Sequence, residues 1–288
     1  KNNISLKFDR FNFDFLKHII NLDTITFENL HLTGSSNITF SKKKLVDDIV
    51  FNLKLDGNLN YPTFAGSEKI VFNNSPIYGE MNGEIVDVIL DFEHINSNLK
   101  LVFRMNLNQN KSSQILFDVD RINVKELLTI WPDDLNDSVY YWMQENASGI
   151  VSNLFVSSKL LKTNNKISFS NLKGKFNFEQ TKIRYMESMP LIENIKGEAK
   201  IKDTEINFSV KSGMSNGLEI TDGEISLFDL DSDYEKADIK LKIIGTNKNV
   251  IDYLNTSPIN KKSFSKLTNI DGDSLIELNL KFPLLLDL

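Results

Sequence analysis

Apolar and polar residues alternate strictly along much of the chain. Residues 275–282 read Leu-Ile-Glu-Leu-Asn-Leu-Lys-Phe, and residues 237–243 read Ala-Asp-Ile-Lys-Leu-Lys-Ile. The same period of two runs through residues 51–55, 99–107 and 206–210. Because successive side chains of a strand point to opposite faces, this pattern predicts strands with one buried and one solvated face. Such strands are typical of antiparallel sheets.

Glycines recur between these apolar runs at roughly 25-residue intervals, which is the range of repeated supersecondary units. They are Gly174, Gly197, Gly223, Gly245 and Gly272, and the pair Gly57 and Gly83 has a similar spacing. The interval is compatible with one hairpin per unit. Ordinary hairpin glycines in a non-repetitive β protein would explain them equally well.

Only four short helices are predicted. They cover residues 13–21, 123–130, 135–147 and 247–254. Asp133 or Asp134 is the expected N-cap of the third helix and Thr246 or Asn247 that of the fourth, while Gly149 is placed to follow the C-terminus of the third. The second helix would stop at Trp131-Pro132.

This balance of elements creates a packing requirement. About fifteen strands would each present an apolar face, and few helices are available to cover them. The sheet must therefore cover itself as a sandwich, a closed barrel or a curved half-pipe. A half-pipe leaves an apolar groove, which a protein in water keeps filled or shielded.

Composition narrows the possible functions. The 288 residues include 33 basic and 39 acidic side chains, for a formal net charge of −6. A mildly acidic chain is a poor candidate for sequence-independent nucleic-acid binding, which needs a basic surface. The chain has no cysteine, so disulfides, thiolate metal sites and cysteine nucleophiles are excluded.

Candidate chemistry is sparse, and neither a catalytic residue nor a cofactor is expected. His18, His31 and His94 show no metal-binding spacing, and no nucleophile elbow or phosphate-binding loop is present. Alternate carboxylates at residues 229–235 could bind calcium, although a solvated hairpin is the simpler interpretation. The cluster at residues 42–44 is three lysines, which could touch an anionic membrane but are more typical of a turn.

An aromatic group could form a sugar-binding platform. It consists of Trp131, Tyr140, Tyr141 and Trp142. At helical spacing beside a proline, however, we expect these rings to belong to the core or to a packing plug.

The order of several short motifs over residues 120–288 resembles that of the AsmA-like bacterial envelope proteins, in their YhdP-like branch. The motifs are Trp131-Pro132, Trp142, Asn146-Ala-Ser-Gly149, Gly174-Lys-Phe-Asn-Phe, Tyr185, Met189-Pro190, Ile195-Lys-Gly197, Gly223, Asp252-Tyr253-Leu254, Ser257-Pro258, Gly272 and Phe282-Pro283-Leu284. The resemblance implies a mainly β fold, with an elongated, twisted antiparallel sheet curved into a half-pipe groove. It also implies a β-groove segment at 1–122, a short helical insertion at 123–149, and a second β-groove segment at 150–288 continuous with the first.

The resemblance further implies a function in lipid transport and outer-membrane biogenesis. The chain would be a monomeric fragment of a bridge-like, non-enzymatic protein in the periplasm, anchored in the inner membrane. It would conduct phospholipid between the inner and outer membranes, which it reaches through parts outside this chain. A non-catalytic β-sandwich or solenoid that binds carbohydrate or protein is the alternative.

The acyl chains would lie on the inward residues of the alternating strands, without a cofactor. The predicted lining is Phe176, Phe178, Ile201, Phe208, Val210, Ile239, Leu241, Ile243, Leu278 and Leu280. Alternation alone leaves open whether these residues line a groove or a dry core. Leu241→Asp is predicted to impair lipid occupancy if the groove exists.

Overall fold

The computed structural model describes residues 2–12, 26–41, 46–63, 66–107, 112–131, 137–163, 166–230, 232, 234–256 and 270–283. Within these ranges the strands are β1 (Asn2–Asn12), β2 (Thr26–Phe40), β3 (Val46–Thr63), β4 (Gly66–Asn82), β5 (Ile85–His94), β6 (Ser97–Asn106), β7 (Ser113–Asn123), β8 (Ala147–Thr163), β9 (Lys166–Ile183), β10 (Ile192–Lys202), β11 (Glu205–Ser215), β12 (Leu218–Phe228), β13 (Lys236–Thr246) and β14 (Asp273–Pro283). The helices are α1 (Val124–Thr129), α2 (Asp137–Asn146) and α3 (Asn247–Thr256).

The fourteen strands form one open antiparallel sheet in chain order, with β1 and β14 at its edges. Most neighbouring strands are joined by short connections, as antiparallel strands can be, whereas α1 and α2 lie between β7 and β8 and α3 lies between β13 and β14. The predicted mainly β class with few short helices is confirmed, and the open sheet is consistent with a curved groove. The strands do not divide into the two sheets that a sandwich requires.

Three predicted helices are present close to their expected positions. The helix predicted at residues 13–21 lies outside the described residues. Thr246 caps α3, because its Oγ1 accepts a hydrogen bond from the Asn249 amide at 3.2 Å. Asn123 caps α1 with a capping box, in which Asn123 Oδ1 accepts from the Glu126 amide at 2.9 Å and Glu126 Oε2 accepts from the Asn123 amide. Asp133 and Asp134 fall outside the described residues.

The prediction that Gly149 follows a helix C-terminus is wrong, because β8 begins directly after α2. Gly149 lies within this strand at φ 135°. A Cβ there would stand 2.6 Å from Cα of Thr181 on β9. The glycine therefore permits a close approach of two strands.

The chain forms two compact units that share β8 and β9. Unit 1 comprises residues 1–121, 129–133 and 154–173, and unit 2 comprises residues 122–128, 134–153 and 174–288. Among the described residues, no helix has both the length and the apolar character needed to cross a membrane.

In unit 1, the buried residues occupy one face of β2 to β7. Register places Leu53 beside Ile77, and Ile77 beside Leu90. Phe72 and Phe92 meet edge to face, with ring centroids 5.6 Å apart. Leu99 and Val119 are almost completely buried, with exposed fractions of 2% and 0%.

In unit 2, the core consists of Phe178, Ile195, Ala199, Val210 and Ile220. These residues come from β9 to β12, and partly buried side chains of β13 pack against them. The sequence predicted segment boundaries at residues 122 and 149. The two compact units divide β8 after Asn153 and β9 after Lys173.

Candidate functional site

The candidate site is one face of the sheet in unit 2. Residues directly opposite each other in an antiparallel ladder project from the same face. One transverse row therefore consists of Ala199, Phe208, Ile225, Ile239 and Leu280. A second row consists of Gly197, Val210, Gly223, Leu241 and Leu278. The third consists of Ile201, Ile206, Leu227, Ala237 and Phe282.

The structure brings all ten predicted lining residues together in unit 2. Seven lie in these three rows: Ile201, Phe208, Val210, Ile239, Leu241, Leu278 and Leu280. Ile243 opposes Ile220 and Ile276 on the same face, and Phe176 and Phe178 pack with Phe208 at centroid distances of 6.2 and 6.0 Å.

The face is only partly covered. Phe178 and Val210 are buried, while seven of the ten predicted residues are partly exposed. Leu280 is 43% exposed. An apolar face in this state has area available for an apolar ligand, which a dry core does not.

Two glycines of the second row have a different role from the hairpin glycines expected from the sequence. Gly197 and Gly223 lie within strands, and the chain reverses instead at positions such as Asn216-Gly217. A Cβ at Gly223 would stand 2.3 Å from Cδ2 of Leu241, and one at Gly197 would stand 2.5 Å from Cζ of Phe178. These glycines leave room for the large side chains of the face.

Several apolar members of the face were not among the ten predicted lining residues, although alternation already placed Ile206, Ala237, Ile276 and Phe282 on the same face as residues of that set. They are Ile183, Ile192, Ile195, Ala199, Ile206, Ile220, Ile225, Leu227, Ala237, Ile276 and Phe282. The alternation at Ile195, Gly197, Ala199 and Ile201 also predicts a strand with one apolar face. Gly197 and Ala199 are small, however, and make this hydrophobic pattern weak.

The opposite face of the same strands carries charges in cross-strand pairs. Lys211 Nζ lies 3.1 Å from Glu198 Oε1, and Lys281 Nζ lies 2.9 Å from Asp238 Oδ2. Glu224 opposes Lys240 directly. These pairs contribute little stability at exposed positions, but they keep that face solvated. The rows of the apolar face contain no titratable side chain.

Unit 1 has an apolar face of its own. One row crosses seven strands through Phe8, Gly34, Leu53, Ile77, Leu90, Leu101 and Phe117. Leu53 and Leu90 in this row are buried.

Unit 1 also has a cavity of about 790 Å³, lined mainly by residues that alternate with this apolar row. Its lining mixes Tyr78 and Ile89 with the pair Asp87–Arg104. Arg104 Nε and Nη2 donate to both Asp87 carboxylate oxygens at 2.7 and 2.8 Å. This hydrogen-bonded cation holds the pKa of Asp87 below its usual range. The cavity thus lacks the continuous apolar surface found in unit 2.

The two histidines within the described residues, His31 and His94, have polar neighbours in the structure. His94 is buried, and its Nε2 lies 3.5 Å from both Glu68 Oε1 and Thr129 Oγ1. Glu68 also lies near Tyr61, whose pKa is raised mainly by burial and to a smaller degree by the negative charge of Glu68. His31 Nδ1 lies 2.7 Å from the Asn29 carbonyl oxygen, and His18 lies outside the described residues.

No cluster of three potential metal ligands occurs among the residues that the structure describes. In the candidate calcium segment, Asp229 pairs with Lys236 at 3.1 Å, and Asp231 and Asp233 are outside the described residues. The three lysines at 42–44 are outside them as well.

The aromatic group only partly fits the expected packing role. Tyr140 is 4% exposed and belongs to the core, as predicted. For Tyr141 and Trp142 the prediction is wrong, because they are 54% and 37% exposed. Tyr140 and Tyr141 meet edge to face at 5.3 Å.

Comparison with known proteins identifies the family. Searches of curated proteins and of solved structures found no similar protein. A family model described as the YhdP protein matches residues 69–287, which is well over half of the chain. The matched region includes the apolar face of unit 2 and about half of unit 1, namely residues 69–121, 129–133 and 154–173. The chain therefore belongs to the YhdP family of AsmA-like bacterial envelope proteins.

Proposed function

We propose that this chain is a segment of a bridge-like lipid-transfer protein and that phospholipid acyl chains lie along the apolar face of unit 2. The observation that carries the proposal is the set of three parallel rows, each crossing β10 to β14. Their side chains are apolar and many remain partly exposed. Family membership supports a function in the cell envelope.

The chemistry of the face suits acyl chains. Each methylene buried against it would stabilise binding by up to about 0.8 kcal/mol. These contacts are non-directional, so chain length and unsaturation would be weakly discriminated. Headgroups would stay in water, because the rows offer them no charged partner.

The repetition of rows suits transport more than storage. Neighbouring strands lie about 4.8 Å apart, so an acyl chain that moves by one strand exchanges one set of apolar contacts for a similar set. No single strand then holds the lipid in a deep energy well. Transport requires neither a catalytic step nor a cofactor in this scheme.

The location that follows is the periplasm, with phospholipid passing between the inner and outer membranes. Membrane contacts and an inner-membrane anchor would come from parts of the protein outside this chain. Unit 1 would bind acyl chains on its own apolar row. The chain would act as a monomer.

Native mass spectrometry with lipid extraction tests the proposal on the purified chain. We expect phospholipid to co-purify at a reproducible stoichiometry. Leu241→Asp and Leu278→Asp, which lie opposite each other, should each reduce this occupancy. Ile244→Asp is the matched control, because Ile244 is on the other face of β13 and is already 39% exposed.

Two results would contradict the proposal. The first is a lipid-free mass from well-folded protein that also fails to take up phospholipid from vesicles. The second is equal loss of lipid in Ile244→Asp and Leu241→Asp, with both variants folded. The first result would favour a binding module for carbohydrate or protein.

A further inference from the structure

Six exposed large hydrophobic side chains of unit 2 lie on the elements that meet where β9 ends and β10 begins. We name this the aromatic edge and define it by Tyr141, Trp142, Tyr185, Met186, Leu191 and Met214. Their exposed fractions run from 37% for Trp142 to 54% for Tyr141. The other exposed large hydrophobic residues described in unit 2 are Tyr234, Ile244, Leu275, Leu280 and Phe282.

Specific contacts hold the elements of this edge together. The Arg184 amide donates to the Asn146 carbonyl oxygen at 2.9 Å, which fixes residues 184–191 beside the end of α2. Asn146 Nδ2 donates to the Trp142 carbonyl oxygen at 3.1 Å. The hydroxyls of Tyr185 and Tyr253 share a hydrogen bond that joins this segment to α3.

Further contacts connect α3 to the neighbouring hairpin. Asn249 Nδ2 donates to the Gly217 carbonyl oxygen at 2.8 Å. Met214, just before this turn, opposes Glu193 at the start of β10. The aromatic edge is therefore a built surface on α2, the 184–191 segment and the β10–β12 strand ends, rather than a set of scattered exposed residues.

The charges around the edge are predominantly negative. Among the described residues, the carboxylates are Glu145, Glu187, Glu193, Glu219, Asp252, Asp271 and Asp273. The basic residues are Lys182, Arg184, Lys196 and Lys248, and Lys182 is paired with Glu193 at 2.7 Å. This excess of carboxylates among the described residues favours a basic partner over an anionic membrane surface.

We propose that the aromatic edge is a docking surface for a basic, amphipathic segment of a partner protein. Exposed aromatic and methionine side chains are typical of binding surfaces for apolar helix faces. The surrounding carboxylates complement lysine and arginine on the partner, which favours correct encounter. This surface is separate from the proposed lipid face, so the inference does not depend on the proposed function.

Fluorescence anisotropy with a designed peptide tests the inference on the whole chain. The labelled probe carries leucine on one face of a helix and lysine on the other, and the matched probe replaces every lysine by glutamate. We expect the basic probe to bind, with affinity falling as salt screens the charges, and the acidic probe to bind at least about tenfold more weakly.

Variants locate the binding on the protein. The double variant Met186→Ser/Leu191→Ser should weaken binding of the basic probe about tenfold or more. Tyr234→Ser is its control, because Tyr234 is 77% exposed and lies away from the edge. For charge, Glu187→Lys should weaken binding, and Asp120→Lys in unit 1, which changes the net charge equally, should not. Unchanged thermal unfolding confirms that each variant is folded.

Three outcomes would overturn the inference. They are equal binding of both probes, unchanged binding in the Met186→Ser/Leu191→Ser variant, and equal weakening by Glu187→Lys and Asp120→Lys. Flotation with phosphatidylcholine vesicles that depends on Met186 and Leu191 would assign the edge to a membrane instead. Leu241→Asp should leave peptide binding intact, which separates this surface from the lipid face.

Discussion

Gly197 offers a sharp test of how the apolar face is packed. The residue lies in the middle of β10, opposite Val210, and its φ does not require glycine. The close packing around this position does require glycine. A Cβ at this position would stand 2.2 Å from the Ser209 carbonyl oxygen and 2.5 Å from Cζ of Phe178. Real Cβ atoms essentially never come within 3.0 Å of such neighbours.

Gly197→Ala must therefore displace the β11 backbone by close to 1 Å and also move the ring of Phe178. Backbone is costly to move because Ser209 is paired with Glu198 in the same ladder. Overpacking of this kind costs about 1–3 kcal/mol of unfolding free energy. At roughly 2–4 °C per kcal/mol for a unit of this size, the melting temperature should fall by several degrees.

Gly223→Ala is the matched comparison, since Gly223 lies in the same row on β12. Its nearest obstacle is Cδ2 of Leu241 at 2.3 Å, the end of a flexible side chain that can rotate away. The expected destabilisation is therefore smaller than for Gly197→Ala. Urea unfolding followed by circular dichroism measures both. Equal stability of the two variants, or a less stable Gly223→Ala, would refute the packing argument.

Three further predictions concern other contacts. Arg104→Ala should lower the unfolding free energy only slightly at neutral pH, as the loss of an exposed ion pair does. Because the pKa of Asp87 is lowered on folding, this small loss should disappear in urea titrations as the pH falls below the ordinary aspartate value of 3.8. Thr246→Ala removes the N-cap of α3 and should cost about 1 kcal/mol in the same assay, and a cost near zero would contradict the cap. Tyr185→Phe should cost about 0.5–1.5 kcal/mol, but much less when Tyr253→Phe is already present; additive costs in this double-mutant cycle would show that the two hydroxyls do not interact.

Much of the fold was predictable because strand geometry converts sequence into faces directly. The apolar residues of 237–243 and 275–282 face one way by period two, and pairing aligns them as Leu241 with Leu278 and Ile239 with Leu280. A shift of one residue in the register of a strand would expose its entire apolar set to water. The same rule brought all ten predicted lining residues to one face.

The roles of the glycines were not predictable from spacing. Gly197 and Gly223 recur at nearly the interval of the hairpins, yet the hairpin turns use other residues. Asp203 and Asn216 adopt positive φ at 53° and 47° there, which aspartate and asparagine tolerate better than most residues. A single sequence does not distinguish a glycine that a turn requires from one that a facing Phe178 requires.

Burial of the aromatic residues in α2 was also beyond sequence reasoning. Period 3.6 predicts which helical residues share a face, but not which face meets a neighbour. Tyr140 is buried, whereas Tyr141 and Trp142 next to it remain exposed. Helical period does not identify the neighbours that bury Tyr140.

The two surfaces of unit 2 can be separated physically because their contacts differ in kind. On the apolar face, rows of similar residues with no charge give any one strand little advantage over the next, which suits a ligand that must move. At the aromatic edge, large rings and methionines stand among carboxylates in one place, which suits a partner that must stay. A charged substitution at Leu241 should therefore affect only the mobile ligand, and one at Glu187 only the docked partner. Such independence is expected only if each substitution leaves the sheet folded, which the melting temperature of each variant checks.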